Sequence, residues 1–353
     1  MPIVKVAVVQ AGSFVFDTTR TLGRVSTYCE EAADIRARLV VFPEAFLGGY
    51  PKGTDFGARV GSRSAEGRDQ FRRYWESAVE IPGEEVTTLG KIAKRHYMDL
   101  VMGLVEREGG TLYCSVIFLG PDGALRGKHR KLMPTASERI VWGLGDGSTM
   151  PAVATDFGTL GAAICWENYM PLFRMAMYAK GVNIWCAPTV DDRDGWQATM
   201  RHIAMEGRCF VLSACQYLRR AQCPQGYDAI QGNSPDTVLV AGGSAIISPL
   251  GDVLAGPLRG AEGLLTAELA TEDVIRGKFD LDVIGHYARP DIFRMSVDET
   301  ARPVVSKIES SGGDGQAGAC ASGEVGDMHR QISTEGSMVV STRGQKPIEK
   351  EET

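Results

Sequence analysis

The sequence has no long apolar segment, since no run approaches the roughly 18 apolar residues that a membrane helix needs. Its N-terminus, MPIVKVAVVQAG, is too short and too interrupted for a signal peptide and alternates like a first strand. Basic residues do not form a stripe with interleaved aromatics, and 44 acidic against 38 basic residues give a net charge of −6. We therefore expect a cytoplasmic protein whose partners are neither membranes nor nucleic acids.

The eight cysteines include no CxxC pair, so neither a zinc knuckle nor a redox dithiol is indicated. Most of them lie in apolar segments such as NIWCAP and CFVLSAC. In a chain of 353 residues without a signal peptide, we expect buried, reduced thiols rather than disulfides.

Hydrophobic residues make up 44% of the chain and charged residues 23%, which is typical of a globular protein. Short apolar runs, predicted as strands at residues 3–10 and 39–42, alternate with segments of helical spacing. Asp17 is a candidate N-cap of the first helix, and another helix is predicted near residues 84–97. This alternation favours an α/β layered fold.

Two hairpin patterns divide the chain. The first, TLYCSVIFLGPDGALRGKHRK, has GPDG as its turn, and the second, SAIISPLGDVLAGP, has a similar layout. Strands and helices followed by a hairpin in each half predict mixed sheets and an internal duplication. From about Ser310 the sequence is rich in Gly and Ser without an apolar period. Residues 1–309 are therefore predicted to form one catalytic domain, and residues 310–353 a flexible tail.

Three polar residues follow predicted strands. Cys165 ends the strand predicted at 157–165 and precedes a helix, a position at the carboxyl edge of a sheet that would favour a thiolate. Glu44 follows a buried strand and could accept the thiol proton, which a cysteine nucleophile must lose. Lys131 follows the first hairpin and could face negative charge that develops on a substrate. Each has an ordinary alternative: a core cysteine, a solvated loop carboxylate and a solvated basic turn.

Taken together, FPEAF around Glu44, HRKLMPT around Lys131 and CWEN from Cys165 resemble the Glu–Lys–Cys triad of the nitrilase superfamily. The similarity extends over nearly all of residues 4–305, including GHYARPD. The resemblance implies a four-layer αββα sandwich of two mixed sheets. It also implies a homo-oligomer in which two subunits pair, with possible extension into a spiral or filament.

The segments PTASERIVWGLGDGS and CWENYMPL resemble the nitrilase branch, and EAFLGGYPKG resembles plant-type nitrilases and their bacterial relatives. The implied reaction converts a small-molecule nitrile and two waters to a carboxylic acid and ammonia through a thioimidate and a thioester on Cys165. Neither a metal nor an organic cofactor is required. An amidase or carbamoylase with the same triad is the alternative, and a non-enzymatic scaffold would be expected to have a broken triad.

The resemblance also implies supporting residues. Glu138 matches a second glutamate that orients Lys131 or the water, although a surface ion pair with Arg139 is the alternative. The residues that resemble the family's substrate-pocket positions are Tyr50, Trp142, Trp166, Pro188 and Thr189. Both tryptophans could equally be core aromatics. His202 could suggest a Cys–His pair, but its helical neighbours predict core packing instead.

Overall fold

A computed structural model of the protein describes residues 3–303 and 305. Within them the strands, in chain order, are β1 (Ile3–Gln10), β2 (Leu39–Val41), β3 (Ala58–Arg59), β4 (Ser62–Arg63), β5 (Asp99–Glu108), β6 (Thr111–Leu119), β7 (Leu125–Arg130), β8 (Val153–Ala154), β9 (Thr159–Ala162), β10 (Ile184–Thr189), β11 (Phe210–Cys215), β12 (Tyr217–Arg219), β13 (Val238–Ile247), β14 (Val253–Arg259) and β15 (Gly263–Ala270). The α-helices are α1 (Thr18–Asp34), α2 (Ala65–Glu76), α3 (Glu84–His96), α4 (Pro171–Ala179), α5 (Asp194–Gly207) and α6 (Asp273–Lys278). Four short 3₁₀ helices cover Ala136–Ile140, Gly147–Thr149, Cys165–Tyr169 and Arg220–Gln222.

Apart from the short hairpin β3–β4, which forms a two-stranded sheet of its own, the strands form two mixed sheets with the same plan. In sheet 1, of order β15-β1-β2-β5-β6-β7, three neighbouring parallel strands are continued by the antiparallel hairpin β6–β7. In sheet 2, the parallel strands β9, β10 and β11 are continued by the antiparallel hairpin β13–β14. This repeated plan is the internal duplication that the sequence predicts.

The apolar side chains define four layers. Alternate residues of β1, such as Val6 and Val8, pack toward sheet 2, where they meet residues such as Ile184 and Leu212 in one buried cluster. The intervening β1 residues, such as Ala7, face the other way and pack against α1 and α3. Helices α4 and α5 cover the outer face of sheet 2. The αββα sandwich follows from the period of two along each strand, which sends successive side chains to opposite layers.

Local signals in the sequence correctly predict most of these elements. Asp17 caps α1, because its side chain accepts a hydrogen bond from Arg20 N at 3.0 Å. The strand at 3–10, the helix near 84–97 and both hairpins are confirmed. The seven cysteines within the described residues are all free. The predicted tail, residues 310–353, lies outside the described residues.

Two predictions need correction, and one strand was not predicted. The strand predicted at 157–165 is shorter, because β9 ends at Ala162 and Cys165 begins a 3₁₀ helix. The sequence did not reveal β15, which returns from the second half of the chain and pairs antiparallel with β1 along its whole length. His202 is not in the core, since its side chain is 59% exposed and lies 3.4 Å from Glu206.

Candidate active site

The three predicted catalytic residues lie just past strand ends of both sheets. Glu44 follows β2 and Lys131 follows β7, so both belong to sheet 1. Cys165 lies three residues past β9 of sheet 2. The site is therefore assembled between the two sheets, with the carboxylate and ammonium contributed by one and the thiol by the other.

Lys131 is the centre of a buried network of charges. Its Nζ donates to Glu44 Oε1 at 2.7 Å and to Glu138 Oε2 at 2.7 Å. The side chains of Lys131 and Glu44 are fully buried, and that of Glu138 is 10% exposed. The predicted pairing of Glu138 with Lys131 is thus present, and the alternative of a surface ion pair does not describe this residue. Glu138 is fixed further by Thr135 N, which donates to Oε2 at 2.6 Å.

Cys165 is held in a strained backbone conformation at the start of its 3₁₀ helix. Its φ is +51°, a value that non-glycine residues rarely adopt, and its residue exposure is only 3%. The hydroxyl of Thr189, the last residue of β10, donates to Cys165 Sγ at 3.3 Å. The N–H of Asp191 occupies a lone pair of that hydroxyl oxygen at 2.9 Å, which leaves the hydroxyl proton directed toward the sulfur.

Burial dominates the protonation of both reacting groups. It raises the pKa of the Cys165 thiol well above its usual range, and the charge of Glu44 raises it further, against the opposing effects of Lys131 and Thr189. Burial also raises the pKa of Glu44, although Lys131 opposes this shift. The resting state is therefore a protonated thiol facing a carboxylate whose affinity for a proton is increased, which is the arrangement that general-base activation of a thiol requires.

The two oxygens of Glu44 have different surroundings. Oε1 accepts from Lys131 Nζ and from the thiol of Cys114, whose sulfur lies 3.6 Å away. Oε2 is buried without a hydrogen-bond partner among the described residues, and Glu44 interacts with the thiol of Cys165. The geometry thus leaves one carboxylate oxygen available for proton transfer while the other is held in place.

Two residues that support Glu44 were not predicted. Gln216, directly after β11, donates from Nε2 to the Glu44 carbonyl at 2.8 Å. Gly103 of β5 lies so close to the loop that an added Cβ would be 2.0 Å from the carbonyl oxygen of Pro43. The glycine was a possible signal, because a glycine within a strand often marks close approach of another backbone segment.

The residues predicted to bind substrate lie in different surroundings. Tyr50 and Trp142 line a cavity of about 970 Å³ that also reaches Glu138, and the Tyr50 hydroxyl donates to Glu138 Oε1 at 2.8 Å. Trp166 is 43% exposed rather than a core aromatic, and its Nε1 donates to Asp191 at 2.9 Å. These positions leave room for a substrate on the Glu138 side of the network.

Pro188 and Thr189 are fully buried at the end of β10, and neither belongs to the lining of that cavity. Thr189 contacts the predicted nucleophile, because its hydroxyl donates a hydrogen bond to Cys165. In the part of the chain that the structure describes, no group of three or more His, Cys, Asp or Glu residues could hold a metal ion. No helix among the described residues is long and apolar enough to cross a membrane.

Comparison with solved structures gives the same architecture. The chain matches a crystal structure of Saccharomyces cerevisiae Nit3, a member of the nitrilase superfamily, with a TM-score of 0.62 and 23% identity over 81% of this chain and 96% of the other. It matches a carbon–nitrogen hydrolase from Helicobacter pylori with a TM-score of 0.62 and 20% identity, over 79% of this chain and 92% of the other.

Comparison of sequences gives much higher identity. The chain is 54% identical to a nitrilase from Bradyrhizobium diazoefficiens, over 87% of this chain and 95% of that protein. It is 52% identical to an aliphatic nitrilase from Sinorhizobium fredii, over 85% and 97% of the two chains. A bifunctional nitrilase/nitrile hydratase from Nicotiana tabacum is also 52% identical, over 88% and 92%. The family model of carbon–nitrogen hydrolases matches residues 5–279, and the chain therefore belongs to the carbon–nitrogen hydrolase family, the nitrilase superfamily.

Proposed function

We propose that the protein is a nitrilase that hydrolyses a small organic nitrile to a carboxylic acid and ammonia, with Glu44, Lys131 and Cys165 as its catalytic residues. The observation that supports this most directly is the buried Glu44–Lys131–Glu138 network facing the thiol of Cys165. Relatives about half identical to this chain are named nitrilases, which favours a nitrile over an amide as the substrate.

The first half of the reaction forms a thioimidate. Glu44 accepts the thiol proton of Cys165 through its free oxygen, and the sulfur attacks the nitrile carbon. One π bond of the nitrile breaks as the C–S bond forms, and its electron pair goes to the nitrogen, which takes up a proton from Glu44. Lys131 stabilises the negative charge on that nitrogen. The backbone N–H of Trp166 is a second donor, because the first turn of a helix has no internal acceptors for its N–H groups.

The second half consumes two waters. Glu44 removes a proton from the first water as it attacks the thioimidate carbon and passes that proton to the nitrogen. Glu44 then transfers the hydroxyl proton of the tetrahedral species to the nitrogen as well, the C–N bond breaks, and ammonia leaves a thioester on Cys165. The second water attacks the thioester, the C–S bond breaks, and Cys165 recovers its proton as the acid leaves. Glu138 is the supporting residue in this scheme, because it shares Lys131 with Glu44 and so fixes the ammonium between two carboxylates.

The substrate side chain occupies the cavity bounded by Tyr50, Trp142 and Glu138 in this proposal. Trp166, Pro188 and Thr189 then close the sulfur side, with Thr189 acting on the thiol rather than on the substrate. The aromatic rings of Tyr50 and Trp142, 5.7 Å apart in an edge-on arrangement, form an apolar wall next to the reacting groups. Selection among nitriles then depends on the shape of this wall, which discriminates methylene groups only weakly.

The test is an ammonia-release screen over aromatic, arylaliphatic and aliphatic nitriles, with acid and amide quantified in parallel. We expect acid and ammonia in equal amounts from at least one nitrile. We expect Cys165→Ala to be inactive while it retains the far-ultraviolet circular dichroism of the parent protein. Hydrolysis of an amide without turnover of its nitrile would instead identify an amidase, and unchanged turnover by Cys165→Ala would remove the basis of the mechanism.

We also propose that the protein is a cytoplasmic homo-oligomer built from dimers. The apolar side chains of Tyr169 and Leu172, which are 39% and 69% exposed, lie three residues apart shortly after Cys165. Apolar surface of this kind is typical of protein–protein contacts. Light scattering coupled to size-exclusion chromatography tests this directly, and a mass equal to that of one chain at all concentrations would contradict it.

A further inference from the structure

The carboxylate of Glu167 contacts two chain segments, the lysine loop around Lys131–Leu132 and the nucleophile loop around Ile164–Cys165. Glu167 is two residues past Cys165 and is 1% exposed. Its Oε2 accepts from the N–H of Ile164, the residue before Cys165, at 2.7 Å. Its Oε1 accepts from the N–H of Leu132, the residue after Lys131, at 2.6 Å. One buried side chain therefore holds the backbone on both sides of the future reaction centre.

This contact matters because the two loops belong to different sheets. Lys131 follows β7 of sheet 1, and Cys165 follows β9 of sheet 2. No backbone ladder joins these strands, so the spacing between the ammonium and the thiol depends on cross-sheet contacts. Gln216 makes a comparable, uncharged contact from sheet 2 to the carbonyl of Glu44.

His129, in β7, completes the arrangement. Its Nε2 lies 3.0 Å from Glu167 Oε2, and its Nδ1 faces the carbonyl oxygen of Thr149. When Glu167 is ionised both partners are acceptors, so both ring nitrogens carry a proton and the imidazole is a cation. Burial lowers the pKa of His129, but the charge of Glu167 and the hydrogen bonds to Glu167 and Thr149 outweigh this and raise it, which favours that state. The His129 side chain is 1% exposed, so the pair is a buried, charge-assisted contact. Lys180 is the other charged group that acts on His129, and it lowers the pKa of His129. The ring of Phe173 packs against the His129 ring, with 5.5 Å between the ring centroids.

We propose that the His129–Glu167 pair is a strut that sets the spacing between Lys131 and Cys165, which makes Glu167 a positioning residue for the reaction. The proposal rests on the proposed function, since it requires Lys131 and Cys165 to be the reacting groups. It assigns to Glu167 a role separate from acid–base chemistry: its two oxygens are already occupied by backbone donors from the two loops and by His129.

The direct test is Glu167→Gln. A glutamine has one acceptor oxygen and one NH₂ group, so it can hold the N–H of Leu132 or that of Ile164, but not both. Whichever way the amide turns, one loop loses its anchor. We expect kcat to fall about 100-fold, the typical cost of a displacement near 1 Å, while KM changes by less than about threefold.

A second measurement reports on the spacing itself. Lys131 lowers the pKa of Cys165, so displacement of Lys131 will move the midpoint of the alkylation rate of Cys165 against pH to a higher value. The rate is followed with iodoacetamide by mass spectrometry of the peptide that contains Cys165. This measurement does not require a nitrile substrate. It therefore distinguishes an error in the positioning role of Glu167 from an error in the proposed function.

Glu206→Gln is the matched control. Glu206 of α5 also accepts from more than one side chain, Arg174 and Tyr178, but it touches neither loop. We expect it to lower the thermal midpoint while kcat and the alkylation midpoint stay unchanged. If Glu167→Gln behaves in the same way as Glu206→Gln, Glu167 is merely structural and the proposal is wrong.

His129→Gln is the second test variant, to be used if Glu167→Gln does not fold. Its amide nitrogen can replace Nε2 as a neutral donor to Glu167, so the loops keep their anchor but lose the charge that reinforces it. We expect a folded protein with kcat reduced about tenfold, in line with the greater strength of charge-assisted hydrogen bonds. A folded His129→Gln variant with unchanged kcat and an unchanged alkylation midpoint would also overturn the proposal.

Discussion

Gly103 lies against the loop that carries Glu44, the proposed general base, and Gly103→Ala tests whether this close approach sets the position of the base. An added Cβ would lie 2.0 Å from the carbonyl oxygen of Pro43 and 2.9 Å from Cα of Glu44, whereas real Cβ contacts are essentially never under 3.0 Å. The obstruction is backbone, not the end of a flexible side chain. The Glu44 loop must therefore move away from β5 by at least about 1 Å, the difference between the 2.0 Å contact with Pro43 and the 3.0 Å minimum.

The loop cannot take up this movement freely. The carbonyl of Gly103 accepts from the N–H of Phe46 at 2.9 Å and of Leu47 at 3.3 Å, so the strand and the loop after Glu44 are joined just beyond the obstruction. A 1 Å misplacement of a catalytic group costs about 100-fold in rate, which corresponds to about 2.7 kcal/mol in the activation free energy. Overpacking of this kind also lowers the free energy of unfolding by about 1–3 kcal/mol.

The assay compares kcat and KM for one nitrile at a temperature where circular dichroism shows both proteins folded. Gly23→Ala, in the interior of α1, is the control, because its added Cβ meets nothing within 4 Å. That variant should retain full activity and gain about 0.5–1 kcal/mol of stability. Gly103→Ala with the kcat of the parent protein would refute the reasoning, since the base would then not depend on the close approach of β5.

Three further predictions follow from the burial of the site. Lys131→Met leaves Glu44 without its cation, so we expect an inactive protein whose free energy of unfolding in urea is lower by about 3–5 kcal/mol at pH 8. The loss should be smaller at pH 5, because a buried, unpaired carboxylate avoids the cost of its charge by taking up a proton. An equal loss at both pH values would contradict this. Thr189→Val should slow alkylation of Cys165 about tenfold, as expected for one hydrogen bond to a charged group, whereas Thr189→Ser should not. Burial lowers the pKa of His129, but the carboxylate beside it and the carbonyl of residue 149 outweigh this and raise it above 6.5. The stability lost in His129→Gln should therefore be largest below pH 6.5 and diminish as the pH rises through the pKa of His129 in the folded protein. A difference in thermal midpoint between the two proteins that grows with pH would contradict this prediction.

The sequence predicts those features that depend on local pattern. The period of two in Ile3–Gln10 and the cap at Asp17 need only neighbouring residues, and both are confirmed. The position of β15 depends instead on a contact with β1, more than 250 residues away in the chain, which no local pattern encodes. The same holds at the site: Gln216 supports Glu44 only because two sheets meet there, and Cys114 does so only because β6 lies two strands from β2 in sheet 1.

Glu167 shows this limit most clearly. It stands in the CWEN segment that indicates the family, where its carboxylate caps the 3₁₀ helix by accepting from the N–H of Ile164. Its second backbone partner, the N–H of Leu132, lies 35 residues earlier in the chain and becomes visible only in the structure. A residue that acts by joining two loops cannot be recognised from either loop alone.

The backbone is strained in each of the three segments that form the site. Positive φ values occur at Ala45, directly after the base, at Ala136, within the loop that carries Glu138, and at Cys165 itself. Such conformations cost free energy and persist only where surrounding contacts enforce them. Here they occur in three chain segments from two sheets, where the buried thiol of Cys165 and the buried carboxylate of Glu44 meet. The same burial raises the pKa of both groups, so the proposed mechanism begins from a protonated thiol beside a carboxylate with an increased affinity for its proton.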